Sequence, residues 1–150
     1  MKAIRILLLT TCGFGICLAA QAQEAVVGSG GTLTAPTTVG HNITVTGIQL
    51  TDGKTAILSC PVTFFGASIY EWRWSCAKGT LSLNGARTAT VQGSVTLTCS
   101  GGGRAHGTTC WHIFTGTATD SDAGAGAVMV VAKGGANNRP GVVKMFSATW

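Results

Sequence analysis

Charge is what this chain has least of. Asp, Glu, Lys and Arg make up only 10% of its 150 residues, and only five are acidic. So few carboxylates leave little material for paired acid–base chemistry or for an oxygen-rich metal site. Proline occurs three times and tyrosine once. The usual surface-helix formers are scarce, and past residue 22 no segment sets apolar residues at helical spacing. The basic residues Lys54, Arg73, Lys78, Arg87, Arg104, Lys133, Arg139 and Lys144 are scattered. No run of them would track a phosphate backbone, so nucleic acid is not an expected partner. No apolar run reaches the roughly 20 residues of a spanning helix.

The longest apolar run, Ile6 to Ala19, follows Lys2 and Arg5 and is interrupted by Thr10 and Thr11. Ala20-Gln21-Ala22 then places small residues at the two positions a signal peptidase reads. A basic start, a short apolar centre and a small-residue cleavage site predict a signal peptide over 1–22. Cys17 invites a lipoprotein reading, but Gly13-Phe14-Gly15-Ile16 makes a poor lipobox. The expected location is secreted, periplasmic or cell surface, with no transmembrane span in the mature chain. Cleavage takes Lys2 and Arg5 from the ten basic residues, so eight face five acidic ones.

Two of the six cysteines, Cys12 and Cys17, would leave with the signal. Cys60, Cys76, Cys99 and Cys110 remain, and an even number in an exported domain predicts two disulfides. Three pairings are open. Cys60–Cys76 and Cys99–Cys110 fit the strand pattern best.

That pattern is abundant Thr, Val and Gly in alternating runs, which suits pleated strands. His41–Leu50 changes parity at Gly47, as a β-bulge would. Asp52-Gly53 has the chemistry of a two-residue type I′ turn into Thr55–Phe65. On that strand Ala56, Leu58, Cys60, Val62 and Phe64 share a face, and Pro61 marks an interruption or an edge. Ile69–Cys76 returns, with Cys60 expected opposite Cys76, Val62 opposite Trp74 and Phe64 opposite Trp72. Leu81 and Leu83 lead to an Asn84-Gly85 turn and a strand Arg87–Val91. Gln92-Gly93 reads as a further turn into Val95–Cys99. Cys110–Thr119, Ala127–Ala132 and Val142–Trp150 complete eight to ten short strands. The expected architecture is an antiparallel β-sandwich of Greek-key, immunoglobulin-like form over 41–150, with 23–40 as a flexible arm or edge strand.

Tyr70, Trp72 and Trp74 form a period-2 aromatic stripe that could stack sugar rings, or, since Cys76 shares its parity, a core face. Trp111 has the opposite parity from Cys110 and is expected to face solvent. His41, His106 and His112 stand at no zinc-ligand spacing, and Asp120-Ser121-Asp122 lacks the remaining ligands of a calcium loop. No metal or other cofactor is expected. Glu71 with one of the loop aspartates could supply the carboxylate pair of a glycosidase, but nothing singles them out, and no nucleophile has a recognisable base near it in sequence. Phe146 and Trp150 give the last strand an aromatic end, as in outer-membrane barrels, though short strands and two disulfides argue against one. A terminal strand could also pair with a neighbouring copy. The expected function is a secreted or cell-surface, non-catalytic domain with a structural or adhesive role, acting through protein partners or self-association. The alternative is a carbohydrate-binding module that holds polysaccharide on Trp111 or on the Tyr70, Trp72 and Trp74 stripe.

Overall fold

A computed structural model describes residues 25–34, 42–83, 87–100, 109–121, 124–134 and 140–149. Nine strands run through them: β1 (Ala25–Ser29), β2 (Thr32–Thr34), β3 (Asn42–Leu50), β4 (Thr55–Ala67), β5 (Glu71–Leu83), β6 (Arg87–Ser100), β7 (Thr109–Asp120), β8 (Gly124–Gly134) and β9 (Gly141–Thr149). The signal segment, the Asn84-Gly85 turn, the glycine-rich stretch 101–107, His41, His106, Asp122 and Trp150 lie outside the described residues.

All nine strands belong to one antiparallel sheet that closes into a ring. From β3 to β9 each strand pairs with its sequence neighbour. β1 and β2 sit between β9 and β3 and complete the circuit. Residues 25–29 and 32–34 are strands of the sheet, placed between β9 and β3. The expected Greek-key pair of sheets is not what these pairings show. Strands of 12 to 14 residues replace the shorter ones read from the sequence.

Glycine explains one of those misreadings. Gln92-Gly93 lies inside β6, where Gly93 pairs with Gly116 of β7. A Cβ on Gly93 would stand 2.2 Å from the Thr115 carbonyl oxygen, and one on Gly116 2.1 Å from that of Gln92. The two backbones approach too closely for any side chain, so this glycine marks contact rather than a turn. Asp52-Gly53 does sit in a hairpin, but the loop has three residues, because the Leu50 N–H donates to the Lys54 carbonyl. Register shifts on β3–β4, β4–β5, β5–β6 and β8–β9 supply the curvature that closure requires. The first falls at Gly47, where parity changes in the sequence.

The inward positions hold the core. One row crosses the sheet as Trp74, Val95, Phe114, Val130, Phe146 and Gly28, with Phe64, 36% exposed, at its margin. From Trp74 to Gly28 large and small side chains alternate, which lets rings from neighbouring strands interdigitate without overlap. Trp74, Phe114 and Phe146 are the largest fully buried side chains. Trp74 meets Phe64 and Trp72 edge-on, with ring centroids 5.9 and 5.7 Å away.

Disulfides join Cys60 to Cys76 and Cys99 to Cys110. Cys99 and Cys110 face each other directly across β6 and β7, with Cα atoms 4.1 Å apart. The first bridge is offset. Val62, not Cys60, pairs with Cys76, and Phe64, not Val62, pairs with Trp74. The register slips by one residue between Ser59 and Val62, because β5 carries an extra residue between Cys76 and Gly79 against both β4 and β6. Two disulfides point to an oxidising, extracytoplasmic compartment.

Candidate functional site

The ring has two unlike ends. At one, Cys99, Cys110, Gly134 and Gly141 lie on one row with the β4–β5 turn beside them. At the other, the β3–β4 loop and the end of β7 carry two ion pairs, Lys54–Asp52 at 3.6 Å and Arg87–Asp120 at 3.2 Å. We call these the Cys99 end and the Asp52 end.

Exposed apolar side chains collect at the Cys99 end. Ile69 is 66% exposed, Phe65 56%, Tyr70 52% and Trp111 38%. The turn that carries the first three is fixed by its backbone. Ser68 donates its N–H to the Glu71 carbonyl at 2.6 Å, and its hydroxyl accepts the Glu71 N–H at 3.1 Å. The Tyr70 carbonyl accepts the N–H of Cys99 at 2.9 Å, which ties the turn to β6 beside the second disulfide. Water would solvate these polar backbone groups in an open loop, whereas here they are satisfied internally and the apolar side chains are held outward.

The aromatic stripe divides. Trp74 is 1% exposed and belongs to the core. Trp72 is half-buried against it, and only Tyr70 stands free of the sheet face. Trp74 and Cys76 share the inward parity of the first half of β5, which reverses at the bulge before Gly79, and Tyr70 precedes the strand, where alternation no longer sets direction. Trp111 does face outward, on β7, with the Lys133 ammonium 5.8 Å from its ring centroid. Phe65 and Ile69 were not singled out from the sequence. Their signal is that they flank Gly66 and Ser68 at the tip of a hairpin, where apolar residues have no core to face.

His112 points inward from β7 and is fully buried. Its cross-strand neighbours are Leu97 and Ala132. Gly134 and Gly141 lie so close that a Cβ on either would come within 2.9 Å of the ring. Among the described residues neither ring nitrogen has a hydrogen-bond partner. Burial of this unpaired imidazole drives its pKa from 6.5 down to about 4. Among the described residues, no group of three or more His, Cys, Asp or Glu side chains could hold a metal.

The carboxylates are not brought together. Glu71 is ion-paired with Arg73 near the Cys99 end, whereas Asp120 pairs with Arg87 at the Asp52 end. Glu71 lies on the row of Trp111, nine residues along β7 from Asp120. That separates the two by about 30 Å along the strand, against the roughly 5–10 Å that a glycosidase pair needs.

Outward rows show two surfaces. β5 and β6 present mainly hydroxyls, such as Ser75, Thr80, Thr88, Thr90 and Thr98. β7, β8 and β9 present Trp111, Ile113, Val131, Val142 and Met145 on the two rows nearest the Cys99 end, then Thr115, Met129 and Ser147, with Thr117 and Thr119 beyond. The strands are longer than the sequence suggested, so length no longer argues against an outer-membrane barrel. Side-chain distribution does, because the inward face is apolar and part of the outer face is hydroxylated, the reverse of a membrane pore. Comparison with protein-family models, with curated proteins and with solved structures found no match.

Proposed function

We propose that the chain is exported by its N-terminal signal and acts as a non-catalytic, structural or adhesive domain at the cell surface or outside the cell. The observation that supports this reading is the gathering of Phe65, Ile69, Tyr70 and Trp111 at one end of a ring tied by two disulfides. Large apolar side chains held outward on fixed backbone are a cost in water and a gain in a contact. The disulfides fit the oxidising compartment that the signal implies. The test is assembly and surface retention of the oxidised protein. Light scattering after size-exclusion chromatography, electron microscopy of the same fractions, and retention on protein- and polysaccharide-coated sensor surfaces would be compared with a Phe65→Ser/Tyr70→Ser variant. Oligomers or retention that the variant loses support the reading. A strict monomer retained on no surface refutes it.

The carbohydrate-binding alternative draws on one observation, the outward Trp111 ring with Lys133 beside it. A shift of tryptophan emission on adding polysaccharide, absent in Trp111→Phe, would favour it. No shift would count against it.

A further inference from the structure

The outer face of β7, β8 and β9 is apolar over its two rows nearest the Cys99 end, before Thr115 and Ser147 begin the next, and there it differs from the hydroxyl rows of β5 and β6. One row across it reads Trp111, Lys133, Val142, and the next Ile113, Val131, Met145. Val142 and Met145 are well exposed, and Ile113 and Val131 are half-buried. Lys144 joins them, because the register shift between Val131 and Ala132 leaves both Lys144 and Met145 facing outward.

Among the described residues the charges on this face have one sign. Lys133 and Lys144 stand among the apolar side chains. The carboxylates among the described residues are all elsewhere and all ion-paired: Asp52 with Lys54, Asp120 with Arg87, Glu71 with Arg73. A face that is aliphatic at its centre and cationic around it repels a second copy of itself laid face to face. It complements a surface with apolar depth and anionic headgroups.

We propose that this β7–β9 face docks the protein onto an anionic lipid surface, with Val142, Met145 and Val131 entering the acyl boundary and Lys133 and Lys144 reaching the headgroup phosphates. The proposal names the partner of the adhesive reading and rests on it. Trp111 sits at the margin of the face, with an apolar ring body and an N–H, a combination suited to the headgroup level. Lysine stems lie along apolar surface while their ammonium groups stay in water, so both lysines reach phosphate without being buried. An acidic polysaccharide shares the anionic chemistry but not the apolar depth. It would stack on aromatic rings, and Trp111 is the sole aromatic among these side chains.

The test is co-sedimentation of the oxidised protein with phosphatidylcholine vesicles, with and without phosphatidylglycerol, at low and high salt. Tryptophan emission would be recorded on the same samples. Binding is expected to the anionic vesicles only, to weaken with salt, and to shift emission to the blue in the parent protein but not in Trp111→Phe. Lys133→Gln and Lys144→Gln are each expected to weaken partitioning about fivefold, and Val142→Ser/Met145→Ser to abolish it. Ile57→Ser, an exposed apolar position on β4 away from this face, is expected to bind as the parent does. All these positions face outward, and an unchanged melting temperature would confirm that each variant folds. No binding to either vesicle overturns the proposal, as does vesicle binding indifferent to the β7–β9 variants. Binding to polygalacturonate but not to vesicles also overturns it and gives the face to polysaccharide. In the first of these cases the adhesive reading still stands or falls on its own assembly assay.

Discussion

Lowering the pH should destabilise this protein through one side chain, His112. Its imidazole is fully buried, its two nitrogens have no partner among the described residues, and Leu97, Ala132 and the Gly134 and Gly141 backbone stand beside it. Desolvation alone moves its pKa from 6.5 to about 4. The native state therefore holds a proton less readily than the unfolded chain. Above pH 6.5 neither state is protonated, and stability is at its full value. As the pH falls below 6.5 the unfolded chain binds a proton that the native state refuses, and stability drops by about 1.4 kcal/mol per pH unit. The loss levels off near pH 4, where native His112 is protonated too. A depression of that size is worth about 3 kcal/mol, a large share of the ~5–15 kcal/mol that holds a domain of this size folded. The assay is urea unfolding, with disulfides intact, at a series of pH values from 7 to 4. The parent is compared with His112→Leu, which fills similar space and has nothing to protonate. Exposed ion pairs contribute equally to both proteins and cancel in the difference. The difference curve should be flat above pH 6.5 and change by about 3 kcal/mol across the window. The leucine variant should also be no less stable at pH 7, since it removes two unsatisfied buried nitrogens. Parallel pH profiles for the two proteins would refute the argument.

Gly93→Ala or Gly116→Ala should cost about 1–3 kcal/mol or more, because the strands must separate, whereas Gly66→Ala, where a Cβ meets nothing within 4 Å, should stay within about 0.5 kcal/mol. Thermal melts of the three variants read the contrast, and equal losses would sink it. Trp74→Ala should cost about 3–5 kcal/mol as a core truncation, while Trp111→Ala should change stability by no more than about 0.5 kcal/mol; chemical denaturation separates the buried ring from the outward one. Replacing Cys99 and Cys110 together by Ala opens a loop with a sequence separation of 11 and should lower stability by about 3 kcal/mol. A melting temperature unchanged by that double substitution would show that the bridge contributes nothing.

Much of the strand content is legible because alternation is a local property. Ala56, Leu58, Cys60 and Val62 share a face in the sequence and are all buried in the structure. The bulge at Gly47 and the outward aim of Trp111 follow from the same parity argument. Register is less local. Pro61 was readable as an interruption, yet β3 pairs straight through it and β4 keeps its alternation; the one-residue slip comes from an extra residue on β5 between Cys76 and Gly79, which nothing in β4 announces. Gly93 shows a deeper limit. A glycine in a turn and a glycine under a crossing backbone look identical in one sequence, and only Gly116 on the facing strand tells them apart. The same ambiguity cut long strands into short ones, and short strands suggested a sandwich. The candidate site was half legible. Tyr70 and Trp111 were visible as aromatics, but their meeting at one end depends on the ring.

Closure of the sheet also bears on how an adhesive role could work. A terminal strand was expected to offer its edge to a neighbouring copy. In the ring β9 has no free edge, since β8 covers one side and β1 and β2 the other. Edge pairing with another chain would require β1 or β2 to leave first. Those strands have only five and three residues, yet they are not loosely held. Leu33 is fully buried in the core, and Gly30 and Gly31 exchange backbone hydrogen bonds with Val143 at 2.9 and 3.3 Å. Displacing them would expose Leu33 and both edges of the gap to water, at a cost in apolar burial and unmet hydrogen bonds. Contacts made by side chains on the closed surface carry no such cost. That favours the Cys99 end and the β7–β9 face over strand exchange as the means by which this domain meets a partner.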